Sequence, residues 1–181
     1  FLRRYHSDHG LPLRARLFAY ISTVNRLSSR LSILANWGMR NRLTRWMLHL
    51  FVGIHKERSL PPLVRTSFPE WFSKRTSSLT TATKGKIVLF NDTFMNYNYP
   101  SVGKAAVQLL EKVGFTVALA DLKCCGRPMI SKGLLSAAKA NARYNVDLLC
   151  QYLEDGFLIV GCEPSCLLTL RDEYPDLLQD D

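Results

Sequence analysis

All five cysteines of this 181-residue chain, Cys124, Cys125, Cys150, Cys162 and Cys166, fall in its last third. Two of them open the run Cys124-Cys125-Gly126-Arg127-Pro128. Adjacent cysteines seldom bond to each other, because the ring they would close is strained and their Cβ vectors diverge. A vicinal pair in a loop therefore presents its sulfurs to a metal, a cluster or a redox partner. Cys162 and Cys166 form a second arm, spaced Cys-x-x-x-Cys. Structural zinc usually takes two Cys-x-x-Cys arms, so the match to zinc is partial. An iron–sulfur cluster also takes thiolates, and adjacent cysteines can serve two irons of one cluster. Thiol redox chemistry is a third use, with Lys123 and Arg127 placed to favour a thiolate. The plainest alternative is a set of buried thiols with no chemistry, the reading given to Cys150 beside Leu149.

The elements around these residues alternate between strand and helix. Lys86–Phe90, Phe115–Ala120 and Phe157–Gly161 are short apolar runs of the kind buried in a parallel sheet. Between them, apolar residues recur at helical spacing over 101–113, with Val102, Ala105, Ala106, Leu109, Leu110 and Val113 expected to face inward and Gly114 at the cap. A second helix is expected over 134–153 on Leu135, Ala138, Ala142, Val146, Leu149 and Leu153, and a third from Cys166 to Tyr174, before Pro175. This βαβαβα order predicts an α/β fold with a parallel sheet. Loops 91–99, 121–130 and 162–165 then leave the carboxyl ends of the strands, where such sheets bind ligands. The two cysteine arms are expected to meet there.

Residues 1–86 differ in character, with 16 Lys and Arg against 3 Asp and Glu, whereas residues 87–181 carry 8 against 12. The arginines alternate with apolar residues, as on amphipathic helices expected over 14–34 and 37–51, the second with Leu43, Trp46, Met47, Leu50 and Phe51 on one side. No nucleic-acid module is recognisable, and nucleic acid is not expected as a partner. An anionic membrane surface or an acidic partner is the alternative use of this charge. Pro61, Pro62 and Pro69 make 59–72 an extended strap pinned by Trp71 and Phe72. The polar run 76–85 reads as a linker. The expected division is a basic helical region over 1–75, a linker over 76–85 and an α/β domain over 86–181. The clustered, odd cysteine count argues against a secreted disulfide framework. No apolar run is long enough to span a bilayer. The expected location is cytoplasmic, with peripheral contact at the inner membrane as an option. The opening Phe1-Leu2-Arg3-Arg4-Tyr5 is no signal peptide and is expected to mark an internal fragment.

Cys124-Cys125-Gly126-Arg127-Pro128, Phe90-Asn91-Asp92-Thr93-Phe94 and Glu163-Pro164-Ser165-Cys166-Leu167-Leu168 together resemble the cysteine-rich "CCG" domain. That domain occurs in heterodisulfide reductase subunits and in the iron–sulfur subunits of glycolate and lactate oxidation systems. It also ends fused FAD/iron–sulfur oxidoreductases, which the chain resembles most, including the strap Gly53–Pro61. The resemblance implies one Rossmann-like CCG half, in a protein that oxidises a 2-hydroxy acid such as D-lactate, glycolate or 2-hydroxyglutarate on FAD. Iron–sulfur centres then carry the electrons onward, and the implied role of these residues is electron transfer or partner docking. FAD and the ferredoxin-type module would lie outside these residues, as partners within the same protein, and the fragment alone would be inactive. The implied cluster ligands are Cys124, Cys125 and Cys166. Glu163 stands where the family's closing Cys-x-x-Cys has a thiolate, Cys162 is one residue off that register, and Asp92 lies in the loop that would supply the first ligand. A set that includes Asp92 and Glu163 suits zinc as the alternative metal.

Overall fold

A computed structural model describes residues 1–76 and 84–179; most of the expected linker lies outside the described residues. The chain opens with five short helices: α1 (Leu2–His9), α2 (Leu13–Ala19), α3 (Ile21–Ser29), α4 (Ser32–Arg40) and α5 (Arg42–Val52). The single helix expected over 14–34 is therefore broken at Tyr20 and at Arg30-Leu31. At the second break Ser29 Oγ donates to the Arg26 carbonyl at 2.9 Å, a local bond that competes with the helical ladder. At the first, the short α2 buries Ala19 against Met129 and Ala138 of the sheet domain. The helix expected over 37–51 is also split, because the Asn41 side chain accepts from Leu43 N at 2.8 Å and so starts a new helix.

The strap is extended only at its start, where the Asn36 amide pairs with both the N–H and the C=O of Leu63 at 2.8 Å. It then becomes helix α6 (Phe68–Lys74), capped by Ser67 and with Pro69 in its first turn. Proline there costs no hydrogen bond, since the first N–H groups of a helix have no partner in any case. Trp71 and Phe72 are therefore helical, and Phe68 of the same helix is fully buried.

Strand β1 (Gly85–Phe90) is central, paired in parallel with β2 (Phe115–Leu119) on one side and β3 (Phe157–Gly161) on the other, in the order β2-β1-β3. Its residues Ile87–Phe90 are all buried, as a strand covered on both faces requires. Between β1 and β2 lie α7 (Thr93–Tyr97) and α8 (Pro100–Val113), and between β2 and β3 lie α9 (Arg127–Ile130) and α10 (Leu135–Glu154). After β3 come α11 (Pro164–Leu168), a π-helical stretch Thr169–Glu173 and α12 (Tyr174–Leu178). The last helix thus runs past Pro175, which sits in the first turn of α12. Leu89 packs with Phe68, Met95, Val107 and Val117 on one face of the sheet. Val88 packs with Ala120 and Leu149 on the other.

Helix α8 turns a different face inward from the expected one. Gly103, Val107 and Glu111 are buried, whereas Val102, Ala105, Leu109 and Val113 are exposed. Glu111 goes inward because Arg75 Nη1 meets its carboxylate at 2.6 Å. Gly103 goes inward because nothing larger fits. A Cβ there would lie 2.7 Å from the Phe68 ring and 2.8 Å from Met95 Sδ. Gly103→Ala is accordingly expected to destabilise the protein by about 1–3 kcal/mol, lowering Tm by about 3–10 °C in a calorimetric scan. An unchanged Tm would show that α6 and α8 can separate freely. On α10 the buried stripe is Ala138, Ala142, Asn145 and Leu149, with Leu153 exposed at the end.

Candidate functional site

The segment between β2 and α9 has no regular structure of its own, so its shape depends on what holds its backbone. Two asparagines one turn apart on α10 do this. Asn145 is fully buried. Its Oδ1 accepts from Lys123 N at 2.8 Å, while its Nδ2 donates to the Lys123 carbonyl at 3.1 Å and to Tyr174 Oη at 3.0 Å. Asn141 Nδ2 donates to the Cys124 carbonyl at 3.1 Å. Gly126 then turns the chain at φ 89°, a left-handed conformation that favours glycine, and packs on buried Ala138. Arg127 pairs with Glu173 of the π-helical stretch. The loop is thus fixed to α10 on one side and to the C-terminal helices on the other.

What this backbone presents is a row of thiols. Cys125 and Cys166 are buried beside Phe90, and Cys124 is half-buried against the same cluster. All three are free thiols, with Cys124 and Cys166 each within hydrogen-bonding reach of Cys125 and the Thr93 hydroxyl within reach of Cys124. Tyr174, buried, lies near all three sulfurs. The Cys124 thiol is pushed far up from its ordinary value, first by its bond to Cys125 and then by burial. For Cys125 the bond from Cys124 favours the thiolate, but the bond to Cys166 and burial outweigh it and push the thiol up to about 12. Both are therefore protonated at neutral pH. The expected help from the two cations is not realised, because Lys123 Nζ sits 4.2 Å over the Tyr144 ring and Arg127 is engaged by Glu173.

The remaining candidates are arranged differently. Cys162 is exposed, its thiol raised by partial burial and then by the Asp92 charge, which puts these two residues near each other. Asp92 caps α7, its Oδ1 accepting from Phe94 N at 2.8 Å and Met95 N at 3.0 Å. Glu163 caps α11, accepting from Ser165 N at 3.3 Å and Ser165 Oγ at 2.8 Å. Cys150 is exposed near the end of α10, not the core residue expected. Among the described residues, no three His, Cys, Asp or Glu side chains already surround a common point as metal ligands. The row of sulfurs matches a thiophilic centre in chemistry, though not as a preformed ligand set.

Asn141 and Asn145 were not signalled by motif, whereas Thr93 and Tyr174 lie within the family-like runs at Phe90–Phe94 and after Cys166 but were assigned no role. The one sequence clue was a pair of asparagines interrupting the apolar stripe of a long helix. A cleft of about 390 Å³ reaches Cys124 from the surface, with Arg26, Asn91, Thr93, Lys123 and Asn141 among its walls. Chemistry at Cys124 is therefore open to small solutes, while Cys125 and Cys166 lie behind it.

Residues 90–171 match the cysteine-rich domain family, CCG. A component of the anaerobic glycerol-3-phosphate dehydrogenase of Escherichia coli K12 is 27% identical over 171 residues, covering 93% of this chain and 43% of that protein. Lactate utilization protein A of an Exiguobacterium species is 36% identical over 96 residues, which is 52% of this chain and 38% of that protein. The D-2-hydroxyglutarate dehydrogenase of E. coli K12 is 28% identical over 181 residues, 96% of this chain and 18% of that protein. The chain thus spans less than half the length of these curated relatives. No solved structure matches it.

Proposed function

We propose, for a chain whose residues 90–171 form a cysteine-rich CCG domain, that it is the electron-transfer segment of a flavin- and iron–sulfur-dependent dehydrogenase of 2-hydroxy acids. The observation that carries this reading is the row Cys124, Cys125 and Cys166 at the carboxyl-end rim of the parallel sheet. Relatives whose names specify dehydrogenases, among them one of D-2-hydroxyglutarate, support it. Oxidation of the substrate on FAD, and the ferredoxin-type module that receives the electrons, belong in this reading to other parts of the protein.

Cys124, Cys125 and Cys166 would hold the cluster, which when bound supplies one-electron transfer; Cys162, Glu163 and Asp92 are the nearest candidates for completing the donor set. Zinc is the alternative occupant. The division into a basic helical region over 1–75 and a CCG domain over 86–181 belongs to the same proposal, with α6 packed into the core of the second. A thiol-redox role needs a ready thiolate, which the raised Cys124 and Cys125 do not offer at neutral pH.

The test uses proton linkage. A bound metal takes thiolates, so Cys124 and Cys125, both raised, must each give up a proton. The affinity contribution is therefore smallest at low pH and grows as pH rises. For the full-length protein titrated with cadmium(II), the part of the binding lost on replacing Cys125 should strengthen by about 10-fold per pH unit between about pH 6 and 8, corresponding to the one proton that Cys125 releases. A pH-independent loss would remove Cys125 from the site.

A further inference from the structure

On α5, Leu43, Trp46, Met47, Leu50 and Phe51 fall at i, i+3, i+4, i+7 and i+8, the spacing of a face that packs into a core. Here that face is turned outward, with all five side chains between 46% and 65% exposed. Ile33, Leu34 and Trp37 of α4 are exposed as well, at 65–71%. The outward stripe is not a core face that has merely slipped, because the inner sides of the same helices are already in use. Ala35, Gly38 and Met39 of α4 and Thr44, Leu48 and Val52 of α5, half-buried or buried, line an apolar cleft shared with Leu60, Pro61 and Leu63 of the strap. The two helices are apolar on both sides. An outer face of this kind needs a second apolar phase.

The charge around it specifies that phase. From His9 to Lys56 the chain carries eight Lys and Arg and no Asp or Glu. Arg42 and Arg45 lie on α5 itself and Arg40 ends α4. Tryptophan, aliphatic residues and arginine on one short helix, without an acid, complement hydrocarbon lying beneath a layer of anionic phosphates. At 11 residues α5 is about 16 Å long, too short to cross a bilayer but suited to lying in its surface. No helix among the described residues is long and apolar enough to span one.

We propose that the outer face of α4 and α5 docks in the interfacial plane of an anionic phospholipid bilayer, with Trp37, Trp46, Leu50 and Phe51 entering the acyl boundary and Arg42 and Arg45 meeting lipid phosphates. The inference is independent of what the cysteines hold. A covering protein would have to be both apolar and acidic, and the experiment separates the two.

The full-length protein is floated with phosphatidylcholine vesicles, with and without phosphatidylglycerol, at low and high salt. Flotation is expected with the anionic vesicles only, and to weaken as salt is added. The double variant Arg42→Gln/Arg45→Gln should bind these vesicles about 30-fold more weakly. Trp46→Glu/Leu50→Glu should abolish binding while leaving Tm unchanged, since both side chains are exposed. Three results would overturn the proposal: no flotation at low salt, flotation unaffected by Trp46→Glu/Leu50→Glu, or a stoichiometric acidic protein partner shielding Trp46 from solvent quenchers in place of lipid.

Discussion

Cys125→Ser in the full-length protein is expected to lose at least about 100-fold in affinity for a thiophilic metal, and with it any cluster absorption that arises from this site. Cys125 is the middle member of the row, in contact with Cys124 on one side and Cys166 on the other. Removing its sulfur therefore divides the donor set, whereas losing a terminal member only shortens it. Serine is close in volume, so the fold should survive with a loss of about 1 kcal/mol for placing a hydroxyl among Phe90, Leu122 and Leu170. Cys150→Ser is the matched control, since that thiol is exposed and remote in the fold from the row. Anaerobic reconstitution followed by metal analysis decides the matter. Equal loading of Cys125→Ser and the parent protein would sink the proposed site, whatever centres the rest of the protein carries.

The second large effect is expected at Asn145, which touches no ligand candidate through its side chain. Asn145→Ala removes three hydrogen bonds from a fully buried position and leaves the Lys123 N–H, the Lys123 carbonyl and the Tyr174 hydroxyl without that partner. A buried polar group left without a partner costs about 1–3 kcal/mol, so a total of about 3–5 kcal/mol is expected from denaturant unfolding. Asn141→Ala, which removes one backbone bond from a half-buried site, should cost about 1 kcal/mol. The two can be separated from a general loss of packing by amide exchange. Protection should fall first at Leu122–Cys125 in Asn145→Ala, and β1 should stay protected. Uniform loss of protection would mean that Asn145 acts as a core residue and no more.

The sheet half of the molecule could be read from the chain because its signals are local and redundant. The run Ile87–Phe90 is apolar at every position, and Gly114 with φ 105° marks the end of α8. Topology then carried the cysteine arms to one rim without any knowledge of contacts. The clamp was hidden for the opposite reason. Asn145 in an apolar stripe has the pattern of a gap, and only its distant partners at Lys123 and Tyr174 make it an anchor.

The inner face of α8 was the other failure, and the outward stripe of α5 shows the same cause. Periodicity states that a helix has an apolar side but not which neighbour receives it. On α8 the small Gly103 and the ion-paired Glu111 took the inner face ahead of Val102 and Leu109. On α5 the regular stripe went outward while Leu48 and Val52 turned inward. The breaks at Tyr20 and Leu31 involve neither proline nor glycine, so the chain gives no local warning of them.

The strand order β2-β1-β3 also fixes a sequence of events in time. Pairing β1 with β2 aligns Gly85 with Phe115, whereas pairing β1 with β3 aligns Lys86 with Phe157. The second closure spans about 70 residues against about 30 for the first, an added entropic barrier of about 0.7 kcal/mol. Non-local pairings of this kind form late. Cys124 and Cys125 follow β2, but Cys166 follows β3 and reaches them only after the longer closure. The row of thiols is completed among the last steps of folding, so loading of a metal centre is expected to follow assembly of the sheet. A nascent chain halted before β3 docks would carry a vicinal thiol pair with no third sulfur beside it.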